Sequence, residues 1–294
     1  MTAEQPSTDK QFHRTRQWEL ALGQLYKDFQ DYSAQAAHQF KAKDIHQARV
    51  NSRKLLTLLS ILDPGHVSDL YPVFKKAQKR LGKVRDADVL IDSFQSRRKQ
   101  AKADGDPKTA KLLKSVVKYK KHQRKKYRQK LQDELPKLTG KKLETKWNHF
   151  IGEQLGAFVA NKDANVVMRE LEVAYEQKKK ICKALFREQE AATEEAFDSL
   201  HQLRIAAKEL RYTASAASFA LHSKFHAHEE IYKEIQDQLG LINDKRVWLE
   251  TLHAIGPKEL DVGTKTWNAF MATLRAEVLE ALQQNDVIHI AAKP

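Results

Sequence analysis

The sequence predicts an all-α protein: two homologous helical bundles related by pseudo-twofold symmetry around a basic central groove. Three observations carry that prediction. Apolar residues recur every three to four positions, and no hairpin signal joins alternating strands. Glycine and proline are scarce, at 10 and 7 of 294 residues, and cluster at a few points. Two blocks of sequence occur twice, in the same order, as an internal duplication would leave them.

Along the chain, Trp18, Leu22, Leu25 and Phe29 mark an early amphipathic helix, and Phe74, Ala77, Leu81 and Val84 mark a later one. Breaks are expected at Asp63-Pro64-Gly65, Gly105-Asp106-Pro107, Pro136 to Gly140 and Gly256-Pro257. About ten helices result. Only the short tail Val287 to Ala291 looks β-like.

In the repeat, IHQARVNSRK at 45–54 matches LHQLRIAAKE at 200–209, aligning His46 with His201, Arg49 with Arg204 and Arg53 with Lys208. LGKVRDADVLIDSF at 81–94 matches LGLINDKRVWLETL at 239–252, pairing Gly82 with Gly240, Asp86 with Asp244 and Val89 with Val247. The offsets, 155 and 158, differ by three residues. One domain over 1–294 is therefore expected, with halves at about 10–135 and 165–294 joined by a helical linker that includes WNHFIGEQLGAFVA. Asp86 and Asp244 follow a Leu-Gly step, where one helix is expected to give way to the next. An aspartate there suits an N-cap or the orientation of a neighbouring cation.

The formal net charge is +14, and it is unevenly spread. Residues 1–150 hold 34 Lys and Arg against 16 Asp and Glu, a surplus of +18; the remaining 18 against 22 leave −4. A field this one-sided favours a polyanionic partner such as nucleic acid, anionic lipid or polyphosphate. No apolar run approaches the roughly 18–20 residues that cross a bilayer, so membrane insertion is not expected. The N-terminus lacks the apolar core of a signal peptide. A single cysteine, Cys182, rules out an internal disulfide framework and a cysteine zinc cluster. The simplest reading is a soluble cytoplasmic protein.

The charge is organised on helix faces. In LHQLRIAAKELRY, His201, Arg204, Lys208 and Arg211 are three, four and three residues apart and fall within an arc of about 80°. Leu203, Ala207 and Leu210 form the neighbouring apolar stripe and are expected to enter the core. The first copy repeats the stripe with His46, Arg49 and Arg53, and Leu56 takes the fourth position. Like charges at this spacing lower helix stability by a few tenths of a kcal/mol per pair, so their recurrence in both halves argues for a bound anion. A longer line, Lys111, Lys114, Lys118, Lys121, Lys125 and Arg128, has no interleaved acid before Asp133, and Leu113, Val117, Tyr127 and Leu131 lie on another side. Lys75, Lys76, Lys79, Arg80 and Lys83 add charge before and after Gly82, and Lys75 has its repeat counterpart in Lys233. Arg can bridge phosphate oxygens with its planar fork, whereas Lys supplies a mobile point charge. Histidine donates when neutral and gains charge below a pKa of about 6.5; a His near a helix start serves a backbone group equally well, and both readings stay open.

No Walker loop, dinucleotide fingerprint, His-Glu-x-x-His motif or nucleophile elbow is present. The histidines have no metal-ligand spacing, and no carboxylate cluster is placed to hold Mg²⁺ against a phosphate. No catalytic residue, metal or cofactor is expected.

With both motif pairs in view, the chain resembles the CHAD family, the conserved histidine α-helical domain. The helix opening with His-x-x-Arg matches IHQARVNSRK and LHQLRIAAKELRY, and the Leu-Gly-x-x-Arg/Asn-Asp-x-x-Val signature matches LGKVRDADV and LGLINDKRV. The resemblance covers about residues 10–285. It implies paired helical bundles around a basic cavity that binds inorganic polyphosphate, with relatives that associate with polyphosphate granules. Carried over by position, the binding residues are His46, Arg49, Arg53, Lys54, His201, Arg204, Lys208 and Arg211, to which the charge pattern adds Lys75, Lys79, Lys118, Lys121, Lys125, Arg128 and Lys233. Leu56 and Glu209 stand where relatives often place a basic residue. The acidic second half implies that the first half carries most of the affinity. Against this reading stand an RNA- or DNA-binding protein, although aromatics among the basic stripes are few (Tyr119, Tyr127, Tyr212), and an enzyme using His46 or His201 on a phosphorylated substrate. Oligomeric state is not legible in the sequence.

Overall fold

A computed structural model describes residues 8–188 and 193–284. Among the described residues there is no β-strand; ten α-helices follow one another: α1 (Thr8–Gln39), α2 (Ala42–Leu62), α3 (Leu70–Ala103), α4 (Pro107–Thr139), α5 (Lys141–His149), α6 (Leu155–Asn161), α7 (Ala164–Glu188), α8 (Glu194–Ala216), α9 (His228–Glu259) and α10 (Thr264–Gln284). The predicted all-α class is observed. The β-like stretch Val287 to Ala291 lies outside the described residues. Among them, no helix is long and apolar enough to cross a membrane.

Local chemistry accounts for most of the breaks. Asp63 ends α2, and its buried carboxylate accepts from the Val67 and Ser68 amides at 2.8 and 2.9 Å and from the Ser68 hydroxyl at 2.7 Å. Gly105 takes the left-handed conformation (φ 71°) that ends α3 beside Pro107, the first residue of α4. Gly256 (φ 74°, ψ 162°) kinks α9 just before Pro257. Other breaks have no glycine or proline. Phe40 turns the chain between α1 and α2 at φ 51°, and two short 3-10 turns, Ser218–Ala220 and Ser223–Phe225, separate α8 from α9. The Asn165 side chain fixes that second break, donating to the Ala220 carbonyl and accepting from the His222 amide at 2.8 Å.

The break expected within Pro136 to Gly140 falls at Gly140, with Pro136 inside α4 near its end, where the missing amide forfeits a single backbone bond. One expectation is corrected. Gly82 and Gly240 do not end helices, so Asp86 and Asp244 stand mid-helix in α3 and α9 and not at an N-cap. An isolated glycine costs a helix only about 1 kcal/mol, which the apolar stripe of Leu81 and Val84, both fully buried, overcomes.

The helices form two compact units. Unit 1 comprises Met1–Arg85, Lys126–Glu170 and Arg211–Glu229, and unit 2 comprises Asp86–Lys125, Leu171–Leu210 and Glu230–Pro294. Each unit therefore takes segments from both repeats. Unit 1 is built on Trp18, Leu22, Phe29 and Phe74, all buried. Trp147 stacks on Tyr26 with centroids 4.1 Å apart and planes 7° from parallel. The WNHFIGEQLGAFVA segment thus contributes to the core of unit 1, and it passes through a single π-helical turn, Phe150–Gln154. Unit 2 packs Phe94, Leu113, Val116, Leu252, Phe270 and Leu274. Arg97 closes that core, lying 5.5 Å from the Trp248 ring and 5.6 Å from the Phe270 ring while pairing with Glu277.

Candidate functional site

In unit 1, α2 buries Ile45, Ala48, Leu55 and Leu59. The helical period then brings His46, Arg49 and Arg53 out along one edge of that apolar face. His46 is exposed; Arg49, Arg53 and Lys54 are half-buried. Arg49 crosses Gly82 on α3, where an added Cβ would meet its Nε at 3.6 Å, an ordinary van der Waals contact. Burial, and then the charges of Arg85 on α3 and Arg49 on its own helix, hold the His46 imidazole below its ordinary pKa. At neutral pH the ring is therefore uncharged, with one N–H to donate.

At the other end of this edge, the Arg53 guanidinium lies 4.8 Å from the centre of the Tyr212 ring, and Arg211 lies 5.9 Å from the same ring. A guanidinium held over a ring gains cation–π attraction without using its N–H donors. Arg53 and Arg85 make no ion pair among the described residues. Unit 1 thus gathers residues of α2, α3 and the end of α8 into one cationic strip: Arg85, His46, Arg49, Arg53 and Arg211, with Tyr212 as a spacer. Two of its members were not singled out in the sequence. Arg85 could have been found from its place in the second repeat block, beside Asp86. Tyr212 stands out in the sequence only as an aromatic near a basic stripe.

The second copy lies mostly in unit 2 and differs in charge. Leu203, Ala207 and Leu210 are fully buried, as the helical period predicts. His201 is exposed, and its Nδ1 lies 3.3 Å from Asn243 Oδ1. At the offset of 158, Asn243 occupies the position of Arg85, so a neutral amide meets this histidine where a guanidinium meets the other. Arg204 lines a small recess with Leu200, Leu239 and Ile242, and Arg246 lies beside it. Arg246 donates to Asp198 at 2.9 Å and to Glu250 at 2.6 Å, so carboxylates already claim that cation. Lys208 is half-buried and Lys233 exposed.

On α4, Lys111, Lys114, Lys118, Lys121 and Lys125 are all exposed and make no ion pair among the described residues. Leu113, Val117 and Leu131 are buried, as the sequence predicts. Cations off this line have other duties: Arg124 pairs with Asp88 at 2.8 Å, and buried Lys120 donates to Gln123, its pKa lowered by desolvation. Arg128, placed on the line by the sequence, lies in unit 1, 5.5 Å from the Phe40 ring, and donates to the Phe40 carbonyl at 3.4 Å. It anchors the end of α1. On α3, Lys75 and Lys79 are exposed, whereas Arg80 pairs with Glu134 at 2.5 Å.

The strip of unit 1 offers donors and positive charge to an anion, and the exposed α4 lysines between 111 and 125, in unit 2, form a separate row of positive charge. Among the described residues, no three His, Cys, Asp or Glu side chains gather as a metal ion would require.

Comparisons with known proteins agree with the sequence motifs. The family model described as CHAD domain matches residues 20–253. The crystal structure of the CHAD domain from the plant Ricinus communis superposes with a TM-score of 0.57 at 20% identity, over 95% of this chain and 90% of that one. No curated protein matches the chain.

Proposed function

The chain belongs to the CHAD family, and from that premise we propose that it binds inorganic polyphosphate without transforming it, as one domain made of two homologous halves. The observation that carries this reading is the strip of unit 1, where Arg49, Arg53, Arg85 and Arg211 surround His46 and Tyr212. A chain of phosphates takes up such a strip without base recognition: guanidinium forks bridge non-ester oxygens, and the neutral His46 donates one hydrogen bond. The exposed lysines of α4 supply further point charges. The proposed contacts are His46, Arg49, Arg53, Lys54, Arg204, Lys208, Arg211 and the lysines at 75, 79, 118, 121, 125 and 233, with Arg85 and Tyr212 added and Arg128 assigned to the α1 turn. His201 belongs to the weaker second copy.

Tyr212 also bears on the competing nucleic-acid reading. Single-strand binders stack bases on accessible aromatic rings; here two guanidiniums lie over the ring. The non-catalytic reading is supported by the lack of any nucleophile–base or carboxylate–metal motif in the sequence. We place the protein in the cytoplasm, at polyphosphate granules.

Titration of labelled long-chain polyphosphate with the wild type and the Arg49→Ala/Arg204→Ala variant tests this reading. Tight wild-type binding, weakened at least about tenfold by loss of two charge-assisted contacts, is the expected result. Unchanged binding removes both residues from the site. Phosphate released from the chains in the presence of Mg²⁺, and lost in His46→Ala, contradicts the non-catalytic reading.

A further inference from the structure

Unit 2 contains a cavity of about 530 Å³ that the polyanion reading does not use. It opens between α8, α9 and α10, and its size lies within the range of about 300–1,000 Å³ typical of small-molecule sites. Its apolar wall is built by Phe197, Leu249, Val278 and Leu279. Leu279 keeps 46% of its surface exposed, although a methylene-rich side chain on a three-helix face would ordinarily be covered.

The polar groups of this cavity are unequally committed. Arg246 lies over the Phe197 ring at 5.8 Å, and Asp198 and Glu250 both hold it. Arg275 is different. This exposed guanidinium on α10 makes no ion pair among the described residues. Among the described residues its one polar contact runs from Nη2 to His253 Nε2, at 3.2 Å. Because a guanidinium only donates, His253 must accept there, which leaves the remaining N–H groups of Arg275 for another acceptor. The carboxylates lining the cavity, Glu194 and Glu250, come from α8 and α9, so an anion is favoured on the α10 side alone.

We propose that this cavity is a binding site for a single-chain amphiphilic carboxylate, with the head group on Arg275 and the aliphatic tail along Phe197, Leu249, Val278 and Leu279. The head-group chemistry alone is shared by free inorganic anions and by anionic lipid headgroups; the apolar wall of Phe197, Leu249, Val278 and Leu279 beside Arg275 favours a free single-chain carboxylate over either. Each methylene transferred from water strengthens binding about fourfold, so the nonyl tail of decanoate supplies affinity that the exposed ion pair alone cannot.

The experiment uses the full chain and decanoate as probe. Titration calorimetry is run with decanoate, with 1-decanol, with inorganic phosphate, and with phosphatidylglycerol vesicles. Variants are Arg275→Gln, which changes an exposed side chain, and Leu279→Glu, which places a charge on the apolar wall without touching the core. The expected result is one decanoate per chain, binding about three- to fivefold weaker to Arg275→Gln, the loss of one exposed ion pair, and not measurable with Leu279→Glu. Decanol binds the wild type and Arg275→Gln alike, and phosphate and vesicles do not compete with decanoate. The proposal is overturned if decanoate fails to saturate a single site, if Arg275→Gln stays within twofold of wild type, or if vesicles or phosphate displace it.

Discussion

Replacing Arg53 and Arg211 together by glutamine tests the strip of unit 1 most sharply, because both guanidiniums lie over one ring, 4.8 and 5.9 Å from the centre of Tyr212. Glutamine keeps a polar side chain of similar reach and removes the charge. For a flexible polyanion, each phosphate neutralised contributes about 0.7 to the slope of log affinity against log salt. The four guanidiniums of the strip then give about 2.8, and the double variant about 1.4. Over a fourfold rise in salt, from about 50 to about 200 mM, that difference means the wild type loses about sevenfold more affinity than the variant. At fixed low salt, two half-exposed charge-assisted contacts at about 1 kcal/mol each predict about thirtyfold weaker binding. Fluorescence anisotropy with labelled polyphosphate at four salt concentrations reads both quantities. Lys258→Gln/Lys265→Gln, which removes the same net charge from exposed positions of α9 and α10, serves as the control. Equal loss of slope in strip and control variants refutes the account, since binding would then follow net charge and not the assembled strip.

Gly82→Ala should stabilise α3 by about 1 kcal/mol in thermal melts and leave polyphosphate binding intact, because the added Cβ meets Arg49 at an ordinary 3.6 Å; Gly82→Leu should displace Arg49 and weaken binding. Asp63→Ala should cost about 2–4 kcal/mol in urea unfolding, since it strands two amides and a hydroxyl in a buried turn. Trp147→Ala should cost about 3–5 kcal/mol by opening a cavity beside Tyr26 and Phe74. His46 has a depressed pKa in the free protein, with Arg85 and Arg49 facing it; the unfolded chain binds the proton first, so its contribution to stability is present above the ordinary histidine range and is lost as pH falls through the folded pKa. A bound polyanion offsets those two cations and reverses the bias. Binding should then take up protons and strengthen from about pH 7 to about pH 5.5, and His46→Gln should flatten the trend; a pH profile unchanged by that substitution contradicts it.

Much of this was legible in the sequence because helices advertise a period. Trp18, Leu22 and Phe29 are all buried, as are Phe74, Ala77, Leu81 and Val84, while the α4 lysines are exposed. Punctuation was less reliable. Phe40 turns the chain by adopting a left-handed φ that no residue type announces, and the break after Ala216 rests on Asn165, about fifty residues away in the chain. Pro136 and Gly82, both nominal breakers, sit inside helices whose apolar faces outweigh their local cost. The basic stripes were visible as spacing, but which cations pair was not. Arg128 and Arg124 look alike in sequence to the lysines around them, yet one anchors Phe40 and the other holds Asp88. Arg85 differs from its repeat partner Asn243, and only the structure brings that difference against a histidine.

The most direct test of the central claim is a competition. Fluorescent long-chain polyphosphate bound to the full chain is challenged with unlabelled polyphosphate and with single-stranded RNA of matched charge. Polyphosphate is expected to displace the probe at much lower concentration than RNA, because two guanidiniums lie over the Tyr212 ring that bases would otherwise stack on. Displacement by RNA at equal or lower concentration contradicts it.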